Sequence, residues 1–481
     1  MLTYSLEHIA EKSMYEHLYR CIKNDVVNGK LKPNEKLPSK RSFAKNLGIS
    51  NTTVENAYAQ LVTEGYLYSL PKKGYFVSPL DKQIIDKPAP RESLPENNSE
   101  RREYFADFVS GAVATDLFPF SVWIKLLRNV MATEDKATLL TDRPAGGLVQ
   151  LRTAIANHLR EFRGMAVLPE QIIIGAGTEY LYTVLVQLLG REHIYGVEDP
   201  GYMRLSWIYE RNDIFCQHIP MDQAGVIPKA LEESETEILH ITPSHHYPTG
   251  IVMPASRRYE LLAWASAREG RYIIEDDYDC EFRLSGKPIP TLQSIDQMEK
   301  VIYINTFSQS LAPAFRMSYL VLPLHLVKRF YEILGFYSGT VSCFEQLTLA
   351  RFLQDGYFEK HINRMRTYYR NLRDELLEEI RNSPLHPIVQ ISEENSGVHF
   401  LMQVDTKLSD EELIDAAERA GILLSCVSQY HYDRSKQKQH VLVLNYSGIM
   451  PEKVKTVVAS LVECIVKPAG IGQNEGKPLE S

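Results

Sequence analysis

The chain of 481 residues contains no run of 18 apolar residues, the least a membrane-crossing helix needs. Its first residues, Met1-Leu-Thr-Tyr-Ser5, lack the charged-then-apolar layout of a secretory signal, so a cytoplasmic protein with no membrane partner is expected. Cysteine is scarce. The six residues Cys21, Cys216, Cys280, Cys343, Cys426 and Cys464 form no C-x-x-C pair, which argues against structural zinc or a disulfide framework and predicts reduced thiols. Positive charge is also short, with a net −8 that on its own disfavours nucleic acid as a partner. The shortage is uneven, because residues 1–80 carry 11 Lys and Arg against 7 Asp and Glu, or +4, leaving −12 elsewhere. A basic N-terminal module on an acidic body is predicted, within a chain long enough for about two to four domains.

In that module Tyr15, Leu18, Tyr19, Ile22 and Val26 recur at helical spacing. Leu37-Pro38-Ser39 supplies a stop and an N-cap for a second helix, with Phe43, Ala44 and Leu47 inward and Lys40, Arg41 and Lys45 outward. Gly48-Ile49-Ser50 turns into a third helix whose buried stripe is Val54, Ala57, Tyr58, Leu61 and Val62, leaving Asn51, Thr52, Glu55 and Asn56 outside. Gly65 to Leu70 and Gly74-Tyr75-Phe76-Val77 read as a hairpin tipped by Pro71-Lys72-Lys73. Helical spacing alone fits any small helical domain. Two helices around a glycine turn, the second opening on small polar residues, match a helix-turn-helix that presents its N-terminal end to base edges, with a lysine-tipped hairpin in reach of phosphate.

Leu37-Pro-Ser-Lys-Arg41, Leu47-Gly-Ile-Ser50, Thr53-Val54, Ala57-Tyr58, Glu64-Gly65 and Gly74-Tyr75-Phe76-Val77 closely resemble the winged helix of GntR-type bacterial regulators over about residues 12 to 78. The resemblance implies double-stranded operator DNA as a partner, held by Lys40, Arg41, Ser50, Asn51, Thr52, Thr53, Lys72 and Lys73. Members commonly have arginine where this chain has Asn51, so a contact differs there.

Residues 1–80 are thus expected to form the DNA-binding domain, and the proline-containing, charged stretch 81–103 a flexible linker. Beyond it, apolar runs at 171–175, 193–197, 238–241, 272–275, 301–304 and 318–322 alternate with helical stretches such as 148–162, 179–189 and 254–269. Strands buried on both faces and separated by helices predict a mainly parallel α/β sheet in residues 104–380. A small α+β subdomain is predicted at 381–466 and a disordered tail at 467–481.

Ligands of such sheets bind beyond the carboxyl ends of the strands, and polar motifs stand there. Gly175-Ala-Gly177-Thr178-Glu179 opens a helix and could hold a phosphate, or simply join strand to helix. Tyr202 in Glu198-Asp-Pro-Gly-Tyr202 could stack on a flat ring or pack. His245 and His246 are adjacent on an extended segment, so their side chains diverge and no metal site is expected. Glu275-Asp276-Asp277-Tyr278-Asp279 could bind metal, serve as an acid/base pair, or hold the protonated ring nitrogen of a pyridine coenzyme. Thr306-Phe-Ser308-Gln309 with Arg316 offers hydroxyl and guanidinium donors for a phosphate.

Five such motifs in this order, each at a strand end, resemble the fold-type-I aminotransferases from about Phe108 to Val466, and with the winged helix the whole resembles the MocR subfamily of GntR regulators. The fold class implied is a winged helix-turn-helix followed by a pyridoxal phosphate (PLP)-dependent transferase-like α/β domain with a small C-terminal α+β subdomain. The resemblance implies a PLP-type pocket: Tyr202 on the ring, Asp276 at its nitrogen, Tyr278 near its oxygen, and Gly177, Thr178, Ser308 and Arg316 at the phosphate. It also implies Arg204 near an effector carboxylate and a head-to-tail homodimer. Three departures stand out by the same comparison: Glu179 where glutamine is frequent, Val443 where many relatives carry a carboxylate-binding arginine, and Gln309 at the lysine that anchors the coenzyme. A primary amide is too weak a nucleophile to replace that amine. The reading is a transcription regulator rather than an enzyme, its aminotransferase-like domain sensing noncovalent PLP, a preformed PLP–amine adduct or another small effector. The alternative is a PLP-dependent aminotransferase with a DNA-binding appendage, and an engineered exchange of lysine for Gln309 is also open.

Overall fold

A computed structural model describes residues 4, 13–80, 104–111, 114–141, 144–284, 289–395, 397–433 and 440–466. The predicted linker at 81–103 and tail at 467–481 lie outside them. The chain divides into two compact units, Met1–Arg101 and Arg102–Ser481. Among the described residues no helix is long and apolar enough to cross a membrane, and no cysteine is disulfide-bonded.

The first unit contains α1 (Met14–Val27), α2 (Lys40–Leu47), α3 (Asn51–Thr63), β1 (Leu67–Leu70) and β2 (Gly74–Val77). Ser39 caps α2 by accepting from the Ser42 N–H at 3.2 Å, and Gly48, with φ 67°, ends it in the left-handed conformation that glycine adopts without strain. Two residues later Ser50 caps α3 from the Thr53 N–H at 3.1 Å. Leu18, Ile22, Phe43, Val54, Ala57, Tyr58 and Leu61 share one core, closed by Leu67 and Val77 of the antiparallel hairpin.

The second unit begins with β3 (Ala106–Asp107), followed by β4 (Ile172–Gly175), β5 (Tyr195–Asp199), β6 (Cys216–Asp222), β7 (Gly225–Val226), β8 (Ile238–Ile241), β9 (Tyr272–Asp276), β10 (Val301–Thr306) and β11 (Ser318–Val321). Strands β4 to β11 form one sheet in the order β4-β11-β10-β9-β8-β5-β6-β7. The pairs from β10 to β6 are parallel, whereas β11 is antiparallel to both its neighbours. Side chains alternate across it: Ile173, Ile302, Ile304 and Leu320 join one core with the helix Thr178–Leu189. Ile172, Ile174, Tyr303, Tyr319 and Val321 join another with the helix Val149–Arg163. Burial on both faces explains the unbroken apolar runs of the sequence.

A second sheet, wholly antiparallel, follows the order β12 (Val389–Ser392), β13 (His399–Val404), β16 (Val441–Asn445), β15 (Ser425–Cys426). Next to it β3 pairs in parallel with β14 (Ile422–Leu423), which anchors the segment leading to Gly111.

Candidate functional site

Because β4, β5, β8, β9 and β10 point the same way, their carboxyl ends share one edge of the sheet, and the antiparallel β11 starts where the others stop. The register places Gly175, Ser318 and Thr306 in one row across β4, β11 and β10, with Ile304 opposite Asp276. Gly177, Thr178, Asp276, Ser308 and Arg316 are thereby gathered from segments far apart in sequence.

Asp276 is the buried anchor of the site. One carboxylate oxygen, Oδ2, accepts the Tyr182 hydroxyl at 2.5 Å and lies 3.4 Å from His240 Nε2. His240 in turn meets the Tyr209 hydroxyl through Nδ1 at 2.7 Å. The other oxygen, Oδ1, is buried with no hydrogen-bond partner. A buried acceptor left unpaired costs free energy, so this atom keeps an acceptor capacity that a donor such as a protonated ring nitrogen would satisfy. Burial next to Asp276 raises the Tyr182 phenol well above its ordinary range, keeping it a donor.

Twelve residues of helix, Thr178–Leu189, aim their N-terminus at the same edge, with Gly177 at φ 93° as N-cap. A Cβ on Gly177 would come 2.6 Å from Arg316 Nη2, so the guanidinium lies against bare backbone. Arg316 also bonds Glu179 at 3.0 Å, both side chains being about half exposed. Glu179 therefore holds this guanidinium at the mouth of the helix. Thr306 Oγ1 donates to Ser308 Oγ at 3.0 Å and accepts from Ser318 Oγ at 2.8 Å, which fixes the hydroxyl row beside it.

Tyr202 is 42 % exposed and meets Tyr247 edge-on at 6.0 Å between centroids. Arg204 is exposed and close enough for its charge to act on both phenols. Tyr278 is half-buried, its hydroxyl 3.4 Å from His245 Nδ1. The two adjacent histidines do diverge: His245 bonds Asp279 at 2.7 Å and His246 bonds Thr249 at 2.6 Å. No group of three His, Cys, Asp or Glu that could hold a metal is found among the described residues. Glu198 lines the same cavity as Tyr202, accepting from the Thr242 N–H and hydroxyl at 2.9 and 2.8 Å. Burial pushes its carboxyl up to about 8 against those bonds, and burial pushes the neighbouring His246 down to about 3.

Gln309 sits in the turn after β10, half-buried. Its Nε2 and the Nδ2 of Asn445 both converge on Gly111, where a Cβ would lie 3.7 and 3.4 Å from them. The Ser447 N–H donates to Asn445 Oδ1 at 3.0 Å, so the amide oxygen is committed there and the nitrogen faces the site. Val443, one strand repeat away, is sealed at 0 % exposure in an apolar cluster with Tyr247 and Tyr430. Sequence reasoning did not find Tyr182, His240, Asn445 or Gly111. The available signal for Tyr182 was its place one helical turn after Thr178.

In the first unit Arg41, Asn51 and Thr52 are exposed on one side of the helix pair, and Lys72 and Lys73 are exposed at the hairpin tip, Lys72 at φ 61°. Two expected contacts have other uses. Ser50 caps α3, its Oγ also within 2.8 Å of the Thr53 hydroxyl. Lys40 is not a free outward cation, because it is ion-paired with Glu55.

Residues 14–77 match the family model of bacterial regulatory proteins, gntR family, and residues 107–461 that of aminotransferase class I and II, a PLP-binding fold. The chain is 38 % identical over 462 residues to the HTH-type transcriptional regulator YdeL of Bacillus subtilis (strain 168), spanning 96 % of this chain and 98 % of that one. It is 31 % identical over 460 residues to the HTH-type pyridoxine biosynthesis transcriptional regulator PdxR of Corynebacterium glutamicum, spanning 94 % and 96 %. The fold is shared with a crystal structure of Pyrococcus horikoshii kynurenine aminotransferase at TM-score 0.67 and 22 % identity, covering 80 % of this chain and 96 % of that one. The chain belongs to the HTH-type transcriptional regulators of the MocR and PdxR kind, in which a gntR-family winged helix precedes an aminotransferase class I and II domain.

Proposed function

We propose that the second unit is a ligand sensor rather than a catalyst, and that it binds PLP without a covalent anchor or binds a preformed PLP–amine adduct. The observation that carries this reading is Asp276, held on one oxygen by Tyr182 and open on the other, in a site where position 309 offers an amide. When bound, the coenzyme supplies an electron-withdrawing ring, and that chemistry starts from an amine this position lacks. The chain's own residues would bind and orient it: Asp276 at the ring nitrogen, Tyr202 on the ring face, Tyr278 beside the ring oxygen. Gly177, Thr178, Ser308 and Arg316 would take the phosphate, with Glu179 releasing Arg316 to it, and Arg204 would face an effector carboxylate. One relative's name ties it to pyridoxine biosynthesis, which makes B6 vitamers the first ligand class to try.

The working partition is residues 1–80 for DNA, 81–103 as linker, 104–380 and 381–466 for the sensor, and 467–481 as tail, acting as a head-to-tail homodimer in the cytoplasm. Arg41, Asn51, Thr52, Thr53, Lys72 and Lys73 would contact the operator, Arg41 and the lysines through phosphate.

The test is an absorption and circular dichroism titration with PLP on the parent and on Gln309→Lys. Saturable induced dichroism in the parent is expected, with a covalent spectrum only in the variant. Silence in both would overturn the reading, and steady turnover of an amino donor by the parent would restore the enzyme.

A further inference from the structure

The cation that opens α2 is already occupied by an acid on the next helix. Lys40 Nζ is ion-paired with the Glu55 carboxylate and stands 5.9 Å from the centroid of the Tyr75 ring on β2. Glu55 lies outside the buried stripe of Val54, Ala57, Tyr58 and Leu61 on α3, exposed together with Asn51, Thr52 and Asn56. A carboxylate therefore stands on the face assigned above to the DNA groove.

Exposed ion pairs of this kind stabilise a fold little. This one is not needed to hold the helices, because Phe43 and Ala44 of α2 already share a core with Val54, Ala57 and Tyr58 of α3. Its effect falls on the charge presented to DNA. A lysine that neutralises a phosphate releases counterions and steepens the salt dependence, whereas a lysine neutralised by its own protein does neither. Any phosphate reached by the start of α3 also lies within a screening length, about 10 Å, of Glu55. Among the described residues of the first unit two other lysines are paired, Lys23 with Glu64 and Lys30 with Asp25. Glu64 closes the far end of α3 and Asp25 belongs to α1, so neither acid shares the exposed start of α3.

We propose that Glu55 is a specificity-determining residue: by holding Lys40 and placing a negative charge on the groove-facing helix, it suppresses sequence-independent binding, so that base contacts decide where the protein stays. This inference rests on the assignment of α2 and α3 to the DNA face.

The test uses the full chain and a labelled duplex of scrambled sequence, about two helical turns long, titrated by fluorescence anisotropy across a range of salt. Glu55→Gln is expected to tighten binding to this duplex about fivefold to tenfold at 0.1 M salt and to steepen the log–log salt slope by about 0.9, the value of one more phosphate. Lys40→Gln is expected to weaken binding, because Glu55 is then unpaired, and Lys40→Gln with Glu55→Gln to return near the parent. Glu64→Gln is the control and should move neither quantity. Melting curves for all four show whether the first unit stays folded, and the double variant keeps the comparison valid if a single one is weakened. An unchanged slope in Glu55→Gln, or an equal change in Glu64→Gln, would overturn the proposal while leaving the DNA face intact. If the parent binds no duplex even at low salt, the DNA-face assignment fails and this inference with it.

Discussion

Two carboxyl groups near the sheet edge are held in opposite ways, and each makes a separate prediction. Asp276 has a phenol on one oxygen at 2.5 Å and nothing on the other. Tyr182→Phe removes a hydrogen bond to a charged group, worth about 1.5 to 3 kcal/mol. If PLP binds through the open oxygen, its affinity should fall about tenfold or more, read by the same dichroism titration, and an unchanged midpoint would detach Tyr182 from the ligand. Glu198 is instead pushed up to about 8 by burial, from an ordinary 4.5. Between those values the folded chain keeps a proton on Glu198 that the unfolded chain has lost, so stability falls as pH rises. The contribution is whole below about 4.5 and gone above about 8. The melting temperature of Glu198→Gln should therefore decline less than that of the parent across this window, and parallel curves would remove Glu198 from the account.

Capping decides the start of α3, and it separates two roles for Ser50. Its hydroxyl accepts the Thr53 N–H at 3.1 Å, so Ser50→Ala should destabilise the first unit by about 1 kcal/mol and Ser50→Gly by only a few tenths. A DNA contact through the same hydroxyl would be lost equally in both. Comparing melting with duplex binding in the two variants tells the roles apart. At this scale much was legible in the sequence: the helix-turn-helix, the hairpin and most large-domain strands follow from local periodicity, caps and turn glycines. The direction of β11 was not, since Ser318–Val321 is buried on both faces and such a run reads alike either way. The short stretch from Thr306 to Ser318, too brief for a helical crossover, was the signal for an antiparallel return. The motif residues of the candidate site were visible because each ends a strand. Tyr182 meets Asp276 across 94 residues of sequence, and His240 reads locally as one more strand residue, so only the packed sheet reveals their use. The pairing of Lys40 was hidden for the same reason: its partner Glu55 belongs to the next helix.

For the whole molecule, a surplus of 4 positive charges in residues 1–80 faces a deficit of 12 in the rest. The positive charge that DNA attracts is thus in surplus only in the first 80 residues, and if the larger unit senses a ligand, as proposed above, its influence on DNA binding is a coupling between two sites. Such coupling is a free energy shared by two sites, so it must be reciprocal. If PLP changes the affinity for a duplex selected by the full chain, that duplex must change the affinity for PLP by the same factor, on the order of 5 to 150 for typical couplings. Dichroism titrations with and without saturating duplex, paired with anisotropy titrations with and without PLP, measure both sides. Arg41→Ala should keep the PLP midpoint of the free protein yet lose the shift on adding duplex, because its lesion lies in the first unit alone. Equal PLP midpoints with and without duplex in the parent would mean that the pocket binds without reporting, since a ligand with equal affinity for two states cannot shift the balance between them, however tightly it is held.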